Sequence, residues 1–158
     1  MGRPWILDYD AANCTIGAAV RIIGEKWTFF VLREAFNGVR RFDDMQRRTQ
    51  APRQILSDRL ARLVDEGLLR KVPYRERGQR SRHEYRLTDK GLDLYPILVS
   101  MMHWGERYVA GPPGPQVKLT HRGCGAPLRL QLTCARGHAL GSARDVTPVP
   151  GPGARKIA

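Results

Sequence analysis

Between Arg40 and Lys90 the spacing of apolar residues switches from helical to alternating, and Pro52 is the sharpest punctuation inside that stretch. Arg41 to Arg48 reads as a short helix in which Phe42 and Met45 face inward, while Asp43 and Asp44 complement the positive end of the helix dipole. Thr49-Gln50-Ala51 is a turn, and Pro52, with its φ preset, suits the first position of a second helix. Leu56, Leu60, Leu63, Val64 and Leu68 then keep a helical spacing, with Gly67 as terminator. Leu68 to Glu76 and His83 to Thr88 read as two strands around a Gly-centred tip. Two short helices, a Pro-initiated turn and a hairpin, in that order, predict a winged helix-turn-helix. The expected fold class is therefore mainly α with a β-hairpin wing (α+β), followed by a small β-rich C-terminal tail.

The charge is regional. Of a net +12, residues 1–39 contribute nothing, residues 40–90 contribute +7 from fifteen basic and eight acidic side chains, residues 91–110 contribute −1, and residues 111–158 contribute +6. A basic excess can serve solubility alone. Its concentration on the helix-turn-helix and wing favours a polyanion, and duplex DNA is the commonest one for this shape. No apolar run approaches the roughly 18 residues of a membrane span, and the N-terminus lacks the apolar core of a signal peptide. Three unevenly spaced cysteines make no disulfide framework, which fits a reducing, cytoplasmic setting without membrane partners.

The expected organisation is an N-terminal arm over 1–13, a winged helix-turn-helix domain with dimerisation helices over 14–110, a linker over 111–116, a small hairpin over 117–146 and a disordered tail over 147–158. Thr15 to Ile23 and Glu25 to Phe36 read as scaffold helices, the second with Trp27, Phe30, Val31 and Ala35 on one stripe. Asp89 to Val109 reads as one long helix capped by Thr88, with Pro96 as a site of bending. Its apolar residues cover more than one face, which points to a contact beyond its own domain, a homodimer interface being the sharp reading.

On the helix after Pro52, Arg53, Gln54, Ser57 and Asp58 lie away from the leucine face near the N-terminal end, which makes them the candidate base readers. Arg59 flanks them, and an ion pair that holds the helix is favoured for it over a DNA contact. Arg75, Arg77, Arg80 and Arg82 crowd the wing as candidates for gripping the DNA backbone. In the tail, His121-x-x-Cys124 and Cys134-x-x-x-His138 are two pairs of metal-ligand type, a candidate structural zinc site. The main domain carries no nucleophile elbow, phosphate loop or His/Asp/Glu cluster, so an enzyme is not expected.

Taken together, Cys14, Ile23-Gly24-Glu25-Lys26-Trp27, Arg41-Phe42, Pro52-Arg53, Leu56-Ser57-Asp58-Arg59-Leu60, Glu66-Gly67-Leu68 and Tyr85-Arg86-Leu87-Thr88 resemble the HxlR family of winged helix-turn-helix regulators, a group similar to the MarR regulators. The resemblance spans roughly Cys14 to Arg107. It implies a transcriptional regulator that binds inverted repeats near or overlapping promoters as a homodimer joined through its N- and C-terminal helices; the expected function is a sequence-specific repressor, with an activator as the other sign of regulation. It also implies a redox-sensing role for Cys14, since a thiol at a helix N-terminus is more readily ionised and thiolate is the reactive form; a small ligand is the other effector class. Ala51 departs from the family's usual Ser cap, and Asp58 stands at a position more often uncharged or basic. The competing reading is a winged-helix module that binds protein and leaves DNA alone.

Overall fold

The computed structural model describes residues 4–75 and 81–157. It divides into two compact units, one from Ile22 to Lys118 and the other combining the residues up to Arg21 with those from Leu119 onward. The predicted winged helix-turn-helix is the larger unit. Its elements are α2 (Lys26–Phe36), α3 (Phe42–Thr49), α4 (Arg53–Asp65), β1 (Leu69–Tyr74), β2 (Arg82–Leu87), α5 (Asp89–Leu92) and α6 (Tyr95–Tyr108), preceded by the end of α1 (Thr15–Ile23).

The core forms where α2 packs on α3 and α4. Val31 and Leu32 of α2, Met45 of α3 and Leu56, Leu60 and Leu63 of α4 are fully buried in one cluster that Leu68 and Leu69 extend to the sheet. The inward face of α2 differs from the predicted aromatic stripe. Thr28 and Glu34 are buried with Val31 and Leu32, while Trp27 and Phe30 are half-buried. Glu34 is tolerated because both its oxygens are engaged: Arg33 Nε donates to Oε1 at 2.8 Å and Arg48 Nε donates to Oε2 at 2.9 Å. A buried carboxylate without such partners costs several kcal/mol. Through Arg48, the pair also ties α2 to α3.

Between α3 and α4, Gln50 adopts the left-handed conformation that ends α3, at φ 58°. Pro52 sits one residue earlier than expected, as the residue before α4 rather than within it, and it offers no side-chain cap. Thr49 does not replace the missing Ser: its Oγ1 accepts from Ala51 N at 3.3 Å and donates to Met45 O at 2.7 Å, which closes the end of α3 and leaves the first turn of α4 without a side-chain cap.

β1 and β2 form an antiparallel pair with Leu69 opposite Leu87 and Tyr74 opposite Arg82. A bridge from Arg41 to Glu84, with Tyr85 N donating to Arg40 O at 2.8 Å, adds the segment before α3 to this sheet. Pro73 fits because, among the described residues, β1 is an edge strand paired with β2 alone. Burial raises the Tyr85 phenol above its ordinary pKa, so it remains a neutral packing group.

The predicted single helix from Asp89 to Val109 is broken into α5 and α6 at Asp93-Leu94. Pro96 explains the break: it has no N–H for the Leu92 carbonyl four residues back, and its ring clashes there, so it is accommodated in the first turn of α6. The Thr88 cap is present, with its side chain accepting from Gly91 N at 3.1 Å.

In the smaller unit, the alternating segment 128–134 is not a strand. Leu130 and Leu132 are exposed, and an alternating pattern without a surface to bury one face has nothing to stabilise it. Two isolated bridges, Thr120 to Pro127 and Thr133 to Ala139, take its place. The C-terminal residues, expected to lack order, pair with the N-terminal arm: Asp10 N donates to Arg155 O at 2.8 Å and Ile157 N to Asp8 O at 2.9 Å.

Gly91 is where the wing meets α5 most tightly. A Cβ there would stand 2.2 Å from Leu68 O and 3.1 Å from Leu87 Cδ2. Gly91→Ala is expected to lower unfolding free energy by about 2 kcal/mol or more in urea titration; a loss within about 0.5 kcal/mol would mean that α5 shifts freely.

Candidate nucleic-acid interface

Burying Leu56, Leu60 and Leu63 turns the opposite side of α4 outward. Arg53, Gln54, Ser57 and Asp58 are all exposed there. Gln54 Nε2 donates to Asp58 Oδ1 at 2.9 Å, one turn along the helix, so each limits the other's rotamers. The Arg53 guanidinium lies 4.7 Å from the centroid of the Phe42 ring and places Nη1 3.7 Å from Asp43 Oδ1.

Asp43 is the residue that sequence reasoning undervalued. Beyond complementing the α3 dipole, it also takes Arg82 Nη1 of β2 at 3.4 Å on its other oxygen. One carboxylate in the first turn of α3 therefore ties the start of α4 to the end of the β-ladder where Tyr74 faces Arg82. Nothing in the local sequence signals this, because Asp43 and Arg82 are far apart in the chain.

Arg59 behaves differently from its neighbours. Its side chain is largely buried, Nη2 stands 3.3 Å from Glu25 Oε2, and Nε is buried without a hydrogen-bond partner among the described residues. This is the ion-pair arrangement the sequence favoured for it. Of the wing candidates, Arg75 follows β1 and Arg82 opens β2, both exposed, while Arg77 and Arg80 lie outside the described residues.

Sequence reasoning missed a further group of arginines. Arg40, Arg41, Arg47 and Arg48 line an open cleft of about 460 Å³ with Asp44 and Glu84. Asp44 pairs with Arg47, Glu84 with Arg86, and the Arg41 guanidinium stacks 4.6 Å from the centroid of Tyr74. The doublets Arg40-Arg41 and Arg47-Arg48 were the available signal.

Cys14 is an exposed free thiol whose sulfur accepts from Gly17 N at 3.4 Å. In the tail, His121 Nδ1 lies 3.3 Å from Cys124 Sγ, and Cys134 Sγ lies 3.5 Å from His138 Nδ1. The structure thus brings the four residues together as two pairs. Among the described residues no group of three or more His, Cys, Asp or Glu side chains converges as a metal site.

The HxlR-like helix-turn-helix family profile matches residues 22–112, which covers α2 to α6. The chain belongs to the HxlR-like helix-turn-helix family. It is 46% identical over 139 residues to an uncharacterized HTH-type transcriptional regulator of Mycobacterium tuberculosis, covering 88% of this chain and 87% of that one. A second such regulator, from Methanothermobacter thermautotrophicus, is 35% identical over 100 residues, covering 63% of this chain and 75% of the relative. Among solved structures, PA1607, named as a candidate transcription factor, superposes with a TM-score of 0.78 at 36% identity, covering 89% of this chain and 96% of that one. The redox regulator HypR in its oxidised form superposes with a TM-score of 0.56 at 26% identity, covering 62% of this chain and all of that one. This HxlR-like protein is a DNA-binding transcriptional regulator of winged helix-turn-helix type and not an enzyme. No helix among the described residues is long and apolar enough to cross a membrane.

Arg59→Ala is expected to lower stability by about 1 kcal/mol, since Glu25 is half in solvent, and to leave base preference unchanged. Selection from randomised DNA would show otherwise if the preferred base changed at a single position.

Proposed function

We propose that this HxlR-like protein is a homodimeric repressor that binds inverted repeats at promoters, with α4 in the major groove, the wing on the adjoining backbone, and DNA affinity gated by Cys14. The shared Asp43 carries the DNA part of this reading. By engaging Arg53 at the start of α4 and Arg82 at the far end of the hairpin ladder, it supports a reading in which helix and hairpin share one surface.

In this reading the N-terminal half of α4 meets base edges. Arg53 suits the two acceptors of guanine, and Gln54, held by Asp58, suits adenine. Asp58 tunes Gln54 and keeps the helix from settling on phosphate. Arg75, Arg77, Arg80 and Arg82 supply counter-charge to the backbone and release condensed ions on binding. Exposed ion pairs such as those of Asp43 contribute about 0–1 kcal/mol, so phosphates can displace them readily.

The dimer reading is supported by α6. Ile97, Met101, Trp104 and Tyr108 are exposed and recur at a spacing of four, three and four, which lines them along one helical face. The opposite side of α6 faces the core of its own unit through Leu98 and the buried Val99. A two-fold pairing of two such stripes would set two α4 helices at a fixed separation, as inverted half-sites require.

Gating by oxidation is supported by the exposure of Cys14 and by the similarity to HypR, a redox regulator. An oxidant should lower operator affinity of the wild type and leave Cys14→Ser unchanged. If both respond alike, a small ligand becomes the effector to seek.

Arg53→Ala should weaken binding by ~1–3 kcal/mol at one base position only. Arg82→Ala should instead weaken all sequences alike and flatten the dependence of log K on log salt by about one contact. Quantitative shift assays over a salt series measure both effects. Absence of any salt-dependent binding to duplex DNA would favour the protein-interaction reading. Trp104→Glu should shift the protein toward monomer in sedimentation velocity and reduce affinity for a full operator far more than for a half-site.

A further inference from the structure

The smaller unit has order without a core. Among its described residues none is buried; Trp5, Tyr9, Leu119, Leu128 and Leu140 reach only half-burial. Its two cysteines beyond Leu119 form no disulfide. Segments this small rarely hold a shape on apolar burial alone and need a covalent or metal staple.

Two loops in this unit are built alike. In the first, His121 N donates to Ala126 O at 2.8 Å, Leu128 N donates to Leu119 O at 2.9 Å, and Thr120 bridges Pro127. In the second, Cys134 N donates to His138 O at 3.0 Å, Leu140 N donates to Leu132 O at 2.9 Å, and Thr133 bridges Ala139. Each loop turns through a glycine in the left-handed region, Gly125 at φ 69° and Gly137 at φ 81°. Each also sets one imidazole nitrogen beside one sulfur, at 3.3 Å and 3.5 Å. With Zn–S near 2.3 Å and Zn–N near 2.0 Å, two ligands of a tetrahedral ion stand about 3.5 Å apart. Both pairs therefore already have the separation that a shared metal ion imposes.

We propose that His121, Cys124, Cys134 and His138 bind one structural zinc ion per chain. Two thiolates and two neutral imidazoles fill a tetrahedral ion and leave no open position, so the site stabilises rather than catalyses. Binding releases both thiol protons and draws the two loops onto one centre, and this supplies the stabilisation that the missing core does not. Among the described residues the four side chains come as two pairs, so closing the site requires the two loops to approach one another.

The test uses the full chain purified under reducing conditions, with zinc measured by elemental analysis and cobalt(II) as a spectroscopic substitute. One zinc per chain is expected, with loss of the metal in Cys124→Ser, in Cys134→Ser and in His138→Ala, and full retention in Cys14→Ser. The cobalt form should show sulfur-to-metal charge-transfer absorption that is absent when either tail cysteine is replaced. In the unaltered chain, chelation should open the segment after Lys118 to proteolysis, and added zinc should close it again. Absence of bound zinc, retention in both cysteine variants, or one zinc per two chains would each overturn the proposal. Limited proteolysis that ignores chelator and zinc would do the same.

Discussion

The rotation of α4 about its own axis decides what this protein can touch, and the burial of three leucines sets that rotation. Leu56, Leu60 and Leu63 have essentially no exposed surface in the cluster that includes Val31 and Leu32 of α2. Each contributes roughly 1.5–3 kcal/mol on burial, so together they rival the net stability of a whole small domain. A slip of one residue would turn the helix by 100° and drive Ser57 or the Arg59 guanidinium into the core. The outward set of Arg53, Gln54, Ser57 and Asp58 is thus a consequence of packing before it is a consequence of any ligand.

How readily each feature could be read from the sequence depends on how local its cause is. The span of α1, the Thr88 cap and the spacing of the α4 leucines were legible because their signals lie within one or two helical turns. Glu34 was not legible, since an acid beside an arginine looks like an ordinary surface pair until Arg48 arrives from another helix to satisfy the second oxygen. Asp43 was read as a dipole partner and proved to be a tie between α3, α4 and β2. The division at Asp93-Leu94 lay between these cases: Pro96 gave the signal, but a bend and a break have the same sequence signature, and the geometry around Leu92 distinguishes them. Pairing of the two chain ends was hidden because composition describes a segment alone and says nothing of a partner more than a hundred residues away.

The electrostatics of the interface combine order with weak commitment. Asp43 holds two arginines at 3.4 and 3.7 Å in an exposed setting, where such pairs lose much of their strength to water and salt. Arg53 is further steadied by the face of Phe42, a contact that persists whichever anion it meets. The guanidinium is therefore oriented at low cost and can exchange one carboxylate for another acceptor. Glu34 is the opposite case: fully buried and doubly paired, it holds α2 and α3 together and has no comparable route to exchange. The same residue types serve as fixed joint and as releasable latch, and burial alone separates the two uses.

The outer face of α6 carries apolar surface that its own unit leaves exposed. On α6, Trp104 and Tyr108 are each 61% exposed although their rings lie only 5.5 Å apart, so together they form one apolar patch. Isolated exposed hydrophobics need no explanation, but four aligned at helical spacing do. The cause lies in the core itself: α2 packs on α3 and α4, and α6 meets α2 near its start, where the Phe36 and Tyr95 rings are 4.9 Å apart. Having met α2 at its start, α6 continues with its apolar outer face uncovered. A helix that is apolar on two sides but supplied with one neighbour is stabilised by acquiring a second, and this is the physical ground on which the proposed pairing of two α6 helices rests.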